Sequence, residues 1–236
     1  GGGAPGTGGT IQNAFTGVLL ANAPNVTIND LTVSSVLGNG FELNGGTTNA
    51  TLSGVTVTST GGNAIHADNV STLNINNATV STTSPGMAAV LIEDSSKINI
   101  NGGTITDPDA AVRLVDSLDV KVANATLNGS GAGNGVDVIG SDNVVLDKNT
   151  INNTAKGIYV ESTGVDITTT ITGNKINTAT TGIDINGAVG TIYLNGGQLT
   201  PVPDPAANNV ITGFGTDINA AGSYSGKLQV NGVARP

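Results

Sequence analysis

The chain has 236 residues, 35 of them Gly, with 37% hydrophobic and 11% charged residues, no Cys or Trp, and only 3 Phe and 3 Tyr. Its 17 acidic against 8 basic residues give a net charge of −9; without a Lys/Arg cluster, that balance argues against a nucleic-acid or anionic-membrane partner. The absence of Cys excludes thiol chemistry and disulfide stapling, and no run approaches the roughly 18 apolar residues of a membrane span.

Residues 1–9 are Gly-rich and begin with neither Met nor a signal peptide, so the expectation is a piece covalently joined to a longer precursor. From residue 10 to about 200 one short strand recurs: Val18-Leu-Leu20, Phe41-Glu-Leu43, Ile65-His-Ala67, Val90-Leu-Ile92, Val112-Arg-Leu114, Val136-Asp-Val138, Ile158-Tyr-Val160 and Ile183-Asp-Ile185. The steps between leading residues are 23, 24, 25, 22, 24, 22 and 25, a repeat of solenoid length. A second strand follows each: Val26-Thr-Ile28, Ala50-Thr-Leu52, Leu73-Asn-Ile75, Ile98-Asn-Ile100, Val120-Lys-Val122, Val144-Val-Leu146, Val165-Asp-Ile167 and Ile192-Tyr-Leu194. A third is centred on Val33, Val57, Val80, Ile105, Leu127, Ile151, Ile176 and Leu199.

Each strand alternates apolar and polar residues and is too short to bury its apolar side alone. Stacking the units about 4.8 Å apart pairs every backbone donor and acceptor in parallel ladders and lines the apolar residues into one interior column. Residues that tolerate the left-handed conformation (Asn29-Asp30, Ser53-Gly54, Asn76-Asn77, Asn101-Gly102, Asn195-Gly196) sit between strands two and three, where a sharp corner is needed. The run Thr168–Thr172 inserts extra residues before Ile176. Pro201, Pro203 and Pro205 open an irregular segment, 201–236, read as an excursion, cap or last weak coil using Ile218, Leu228 and Val230.

The unit Val136-Asp-Val138-Ile-Gly-Ser-Asp-Asn143-Val144-Val-Leu146-Asp-Lys-Asn149-Thr150-Ile151 resembles the coils of the pectin-lyase-like superfamily, and most closely the passenger regions of bacterial autotransporters and surface adhesins. The predicted fold is all-β: a right-handed single-stranded parallel β-helix of three short strands per coil and about eight or nine coils.

With the inward positions set, the outward ones follow. On strand one they read Leu19, Glu42, His66, Leu91, Arg113, Asp137, Tyr159 and Asp184. Arg113, Asp137, Tyr159 and Asp184 occupy four successive coils and form the candidate ligand-binding wall, with Tyr159 a surface for sugar stacking. Asp137 and Asp184 lie about 9–10 Å apart by strand spacing, near the upper edge for an inverting glycosidase pair. Against catalysis stand the missing third acid, the distance of His66, the absence of a calcium cage and the short loops. Strand three presents Thr32, Thr56, Thr79, Thr104, Thr126 and Thr150, a candidate self-association or ice-binding wall; threonine is also simply a good exposed strand residue.

The resemblance implies an extracellular region of a bacterial surface adhesin, a rigid stalk whose partners are a host glycan, a host surface protein or a neighbouring bacterial adhesin. A carbohydrate-active β-helix enzyme, hydrolase or lyase, and an ice-binding solenoid are the alternatives. No cofactor and no metal site are expected.

Overall fold

The computed structural model describes residues 8–186, 189–194, 210–212, 216–219, 227–230 and 233–235. They form a parallel β-helix of 26 strands, with no helix long and apolar enough to cross a membrane among the described residues. The three expected ladders are all present.

The first-strand ladder runs through β2 (Val18–Ala21), β5 (Phe41–Asn44), β8 (Ile65–Asp68), β11 (Ala88–Glu93), β14 (Ala110–Val115), β17 (Asn134–Ile139), β19 (Thr150–Glu161) and β21 (Lys175–Asn186). Its register stacks Phe41 on Val18 and Ile65, Val112 on Val90 and Val136, and Ile158 on Val136 and Ile183. The third-strand ladder runs through β1 (Thr10–Gln12), β4 (Thr32–Val36), β7 (Thr56–Thr60), β10 (Thr79–Ser81), β13 (Thr104–Thr106) and β16 (Thr126–Asn128), then enters β19 and β21. These two 12-residue strands carry the third strand of one coil straight into the first strand of the next, joining both ladders into one sheet. The second strands form a separate sheet, from β3 (Thr27–Asn29) through β6 (Thr48–Ser53), β9 (Ser71–Asn76), β12 (Ser96–Asn101), β15 (Leu118–Ala123), β18 (Asp142–Asp147) and β20 (Asp166–Thr172) to β22 (Val189–Leu194).

The interior is one narrow column in which Phe41, Leu52, Ile65, Leu73, Ile98, Leu114 and Leu127 are fully buried. The corner after strand two repeats a left-handed residue on seven rungs: Asp30, Gly54, Asn77, Gly102, Asn124, Lys148 and Gly173, all with φ between 51° and 70°. Asp, Asn and Gly tolerate that conformation, which is why the sequence places them there. Inside the corners, polar ladders take over from apolar ones. Ser95 and Ser117 each donate a backbone N–H to the hydroxyl of the serine one coil on (Ser117 and Ser141), and the Asn174 side chain accepts from the Asn149 N–H at 3.0 Å.

The second strand of the seventh coil departs from expectation. Thr169 and Ile171, not Val165 and Ile167, pair with Val144 and Leu146. Ile167 is still buried, but Val165 is 54% exposed. The inserted threonines move the register, and a threonine fills an apolar slot. After Ile176 the third-strand rung is Ile211 of β23 (Val210–Thr212). Leu199, the Asn195-Gly196 corner, Pro201, Pro203, Pro205 and residues 1–7 lie outside the described residues. Ile218, in β24 (Thr216–Asn219), pairs with Ile183; Leu228 and Val230, in β25 (Lys227–Val230), pair with Ile192 and Leu194. These strands start a further coil, and β26 (Val233–Arg235) folds back antiparallel on β25.

Candidate functional site

Parallel pairing puts the outward residues of strand one in a single file. Arg113 faces Asp137, Asp137 faces Tyr159, and Tyr159 faces Asp184 on consecutive rungs. The four residues therefore stand on consecutive rungs of one ladder. Its acids are not solvated, however: Asp137 is 3% and Asp184 7% exposed. The reason is a second column, three residues nearer the N-terminus of each strand, that the sequence reading left out. It contributes Asn134 and Lys156, which face each other.

Arg113 lies across Asp137 and Asp109. Its Nε donates to Asp137 Oδ2 at 3.1 Å and its Nη2 to Asp109 Oδ2 at 3.0 Å, while Asn134 Nδ2 donates to Asp137 Oδ1 at 2.6 Å. Burial pushes the Asp137 carboxyl up, against the opposing pull of Asn134 and Arg113. Burial also works against the Arg113 charge, but Asp137 and Asp109 outweigh it and hold the guanidinium above its ordinary value. Both Asp137 oxygens are thus occupied, and the residue serves to fix Arg113.

The other half of the wall centres on Lys156. Its Nζ is 2.7 Å from Asp184 Oδ2 and 3.9 Å from the centroid of the Tyr159 ring, an ion pair and a cation–π contact at once. The Tyr159 hydroxyl donates to Glu161 Oε2 at 2.9 Å and accepts from Asn186 Nδ2 at 3.1 Å. Burial raises the phenol, Asn186 lowers it and Glu161 raises it again, so the hydroxyl keeps its proton and acts as a donor.

Two rungs before Arg113 the same file holds a second cluster, centred on His66. His66 Nδ1 lies 3.1 Å from Glu42 Oε2 and its Nε2 lies 2.8 Å from Glu93 Oε2, and Asn39 also donates to Glu42. Leu91 separates this cluster from Arg113. Among the described residues, no group of three or more His, Cys, Asp or Glu side chains is placed to hold a metal ion.

The threonine wall is also in register: Thr32 pairs with Thr56, Thr56 with Thr79, Thr79 with Thr104, Thr104 with Thr126 and Thr126 with Thr150, and Lys175 follows. Its neighbouring column is tied into an amide ladder, in which Asn152 donates to Asn128 and Asn177 to Asn152, both at 2.9 Å. The open hydroxyl array is therefore one column wide over those rungs.

Residues 39–199 match the family described as "Right handed beta helix region". No curated protein matches. Among solved structures, the A-module of the Azotobacter vinelandii mannuronan C-5 epimerase AlgE4 superposes with a TM-score of 0.58 at 19% identity, covering 88% of this chain. The chain spans 64% of that module. Two catalytic-domain structures of a GH87 α-1,3-glucanase superpose with TM-scores of 0.41 and 0.40 at 13% and 12% identity, covering 90% and 92% of this chain and 55% and 57% of theirs.

Proposed function

The chain belongs to the right-handed β-helix family, and on that premise we propose that it is an extracellular, carbohydrate-directed module whose strand-one wall holds a uronate-bearing polysaccharide. The observation that carries this reading is the placement of Arg113, Lys156 and Tyr159 on one rigid face, each held by its own carboxylate. A uronate carboxylate is the ligand group that two fixed cations recognise together. Asp109, the outer partner of Arg113, has a side chain 40% exposed. Its ion pair is the weak, solvent-screened kind, and an incoming carboxylate exchanges with it at little cost. Asp137 stays beneath as the fixed support.

The same groups bear on chemistry. Asp137 and Asp184, the carboxylates spaced for an inverting hydrolase, are covered by Arg113 and Lys156, which disfavours hydrolysis by that pair. Lys156 and the protonated Tyr159 hydroxyl suit better the proton-donating half of an elimination or epimerisation next to a uronate carboxylate. The superposition on a mannuronan epimerase module supports a carbohydrate ligand over a host-protein one. A stalk-like role on a bacterial surface, with the wall as an adhesive strip, is the second reading. It is supported by the uninterrupted rod of rungs, roughly 40 Å over eight coils.

The test is incubation with mannuronan, polygalacturonate and a neutral glucan, reading binding by calorimetry and turnover by ultraviolet absorbance and proton NMR. Expected are uronate-selective binding that Arg113→Met and Lys156→Met abolish, and turnover lost in Tyr159→Phe with binding retained. Binding without turnover would leave the adhesive reading. Failure of all three polymers to bind, or binding indifferent to both cation variants, would overturn the assignment.

A further inference from the structure

The corner that joins strand three to the next strand one is uneven. Six residues, 82–87, connect β10 to β11, only three, 107–109, connect β13 to β14, and five, 129–133, connect β16 to β17. The short middle turn leaves a notch between two longer ones. It has a volume of about 550 Å³ and is lined in part by Ser81, Thr82, Thr106, Asp107, Pro108 and Ser130, a size at which small-molecule sites occur.

Asp107 forms the inner wall and is 1% exposed. Its Oδ1 caps the turn, accepting from the N–H groups of Asp109 and Ala110 at 2.6 and 3.0 Å. Its Oδ2 is buried and has no hydrogen-bond partner. Such an oxygen costs roughly 1–3 kcal/mol, and native structures rarely keep one without a use. The neighbouring rungs show why it stays unpaired. One coil back, the Thr82 hydroxyl is spent on the Gly62 carbonyl at 2.9 Å. One coil forward, the residue following Asn128 is Gly129, which has no side chain to offer.

The lining selects the chemistry of an occupant. Most of the surface that lines the notch is carbon, the Pro108 ring included, and the Ser130 hydroxyl is engaged with the Pro108 carbonyl at 3.2 Å, so Asp107 Oδ2 is the open polar partner within a largely C–H wall. A metal cation is opposed by the Arg113 charge acting on Asp107, and Asp109, the nearest other carboxylate, is committed to Arg113. Hard cations also require six or more oxygens. Burial lifts Asp107 to about 6, the largest influence on it, so near neutrality the carboxyl exchanges readily between accepting and donating. A ring that carries hydroxyls and a C–H face meets all of these conditions.

We propose that the Asp107 notch is a binding site for a single neutral sugar residue, one hydroxyl of which bonds to Asp107 Oδ2 while its C–H face rests on Pro108. The site borders the Arg113 end of the wall through Asp109, but its neutral ligand does not require a uronate on that wall. The test is titration of the isotope-labelled full chain with methyl glycosides of glucose, galactose and mannose, followed by amide chemical shifts. At least one glycoside is expected to shift the amides of Thr82, Thr106, Asp107, Asp109 and Ser130, saturably and in the millimolar range. Asp107→Ala is expected to weaken that binding by about tenfold or more, the loss of one buried hydrogen bond. Because that variant also removes the turn cap, Ser130→Tyr at the exposed rim is the second arm; it fills the notch without touching Asp107 and is expected to block binding. Lys121→Ala, on the second-strand sheet, is expected to leave it unchanged. No shift at these amides with any glycoside at roughly 50 mM would overturn the proposal and leave a water as the partner of Oδ2. Shifts that persist in Ser130→Tyr would overturn it equally.

Discussion

Asp107 gives the molecule a stability that falls as pH rises, the reverse of the usual carboxylate. Its folded pKa, raised by burial from 3.8 to about 6, means that the folded state holds the proton more tightly than the unfolded chain. The contribution is fully present below about pH 4, where both states are protonated, and is lost as pH rises through about 6. At about 1.4 kcal/mol per pKa unit, the change amounts to about 3 kcal/mol, and because Asp107 is 1% exposed no large discount for solvent screening applies. Asp107→Asn keeps an oxygen to cap the Asp109 and Ala110 N–H groups but cannot ionise. Urea unfolding of both proteins between about pH 3.5 and pH 7.5 isolates this residue, since every other titrating group is shared. The asparagine variant is expected to gain about 3 kcal/mol on the wild type across that range. A stability difference that stays flat with pH, or one that moves against the variant, would refute the reasoning.

Three further outcomes follow from the same structure. Arg113→Met is expected to cost about 3 kcal/mol at neutral pH by leaving Asp137 buried and unpaired, and adding Asp137→Asn is expected to recover most of the loss in urea unfolding. Thr169→Val is expected to stabilise the fold by about 1 kcal/mol, because Thr169 is 0% exposed with an unpartnered hydroxyl in an apolar column; its thermal midpoint should rise. Asn174→Ala is expected to cost about 2 kcal/mol by breaking its bonds to the Asn149 N–H and the Leu146 carbonyl, read as faster amide exchange in residues 146–150.

The fold was legible because a solenoid writes its geometry into the chain at every turn. Val112, Val136 and Ile158 recur at the coil period and meet in the ladder, and Asp30, Gly54, Asn77 and Gly102 mark one corner on four rungs. Where a rung departs from its own rule the reading slipped. Val165 looked like an inward residue because it is apolar, yet the inserted residues make Thr169 the partner of Val144. Composition carries no signal for which of two neighbouring registers an insertion selects, since a buried threonine and an exposed one are the same letter.

The site was half legible for a related reason. A period-two reading yields one outward column per strand, and Arg113, Asp137, Tyr159 and Asp184 stand on successive rungs of it. It could not tell whether those acids were bare, because their partners come from elsewhere: Asn134 and Lys156 from the column beside them, Asp109 from the turn before β14. Reading Ala110, Asn134, Lys156 and Thr181 as a second file, which the ladder makes them, would have placed Lys156 between Tyr159 and Asp184. It would also have turned an apparent carboxylate pair into two cations standing over acids. Asp107 needed more than any column. Its buried oxygen has meaning only because residues 107–109 form a shorter turn than those of the coils on either side, and a notch is a difference between neighbours, visible once three coils are stacked.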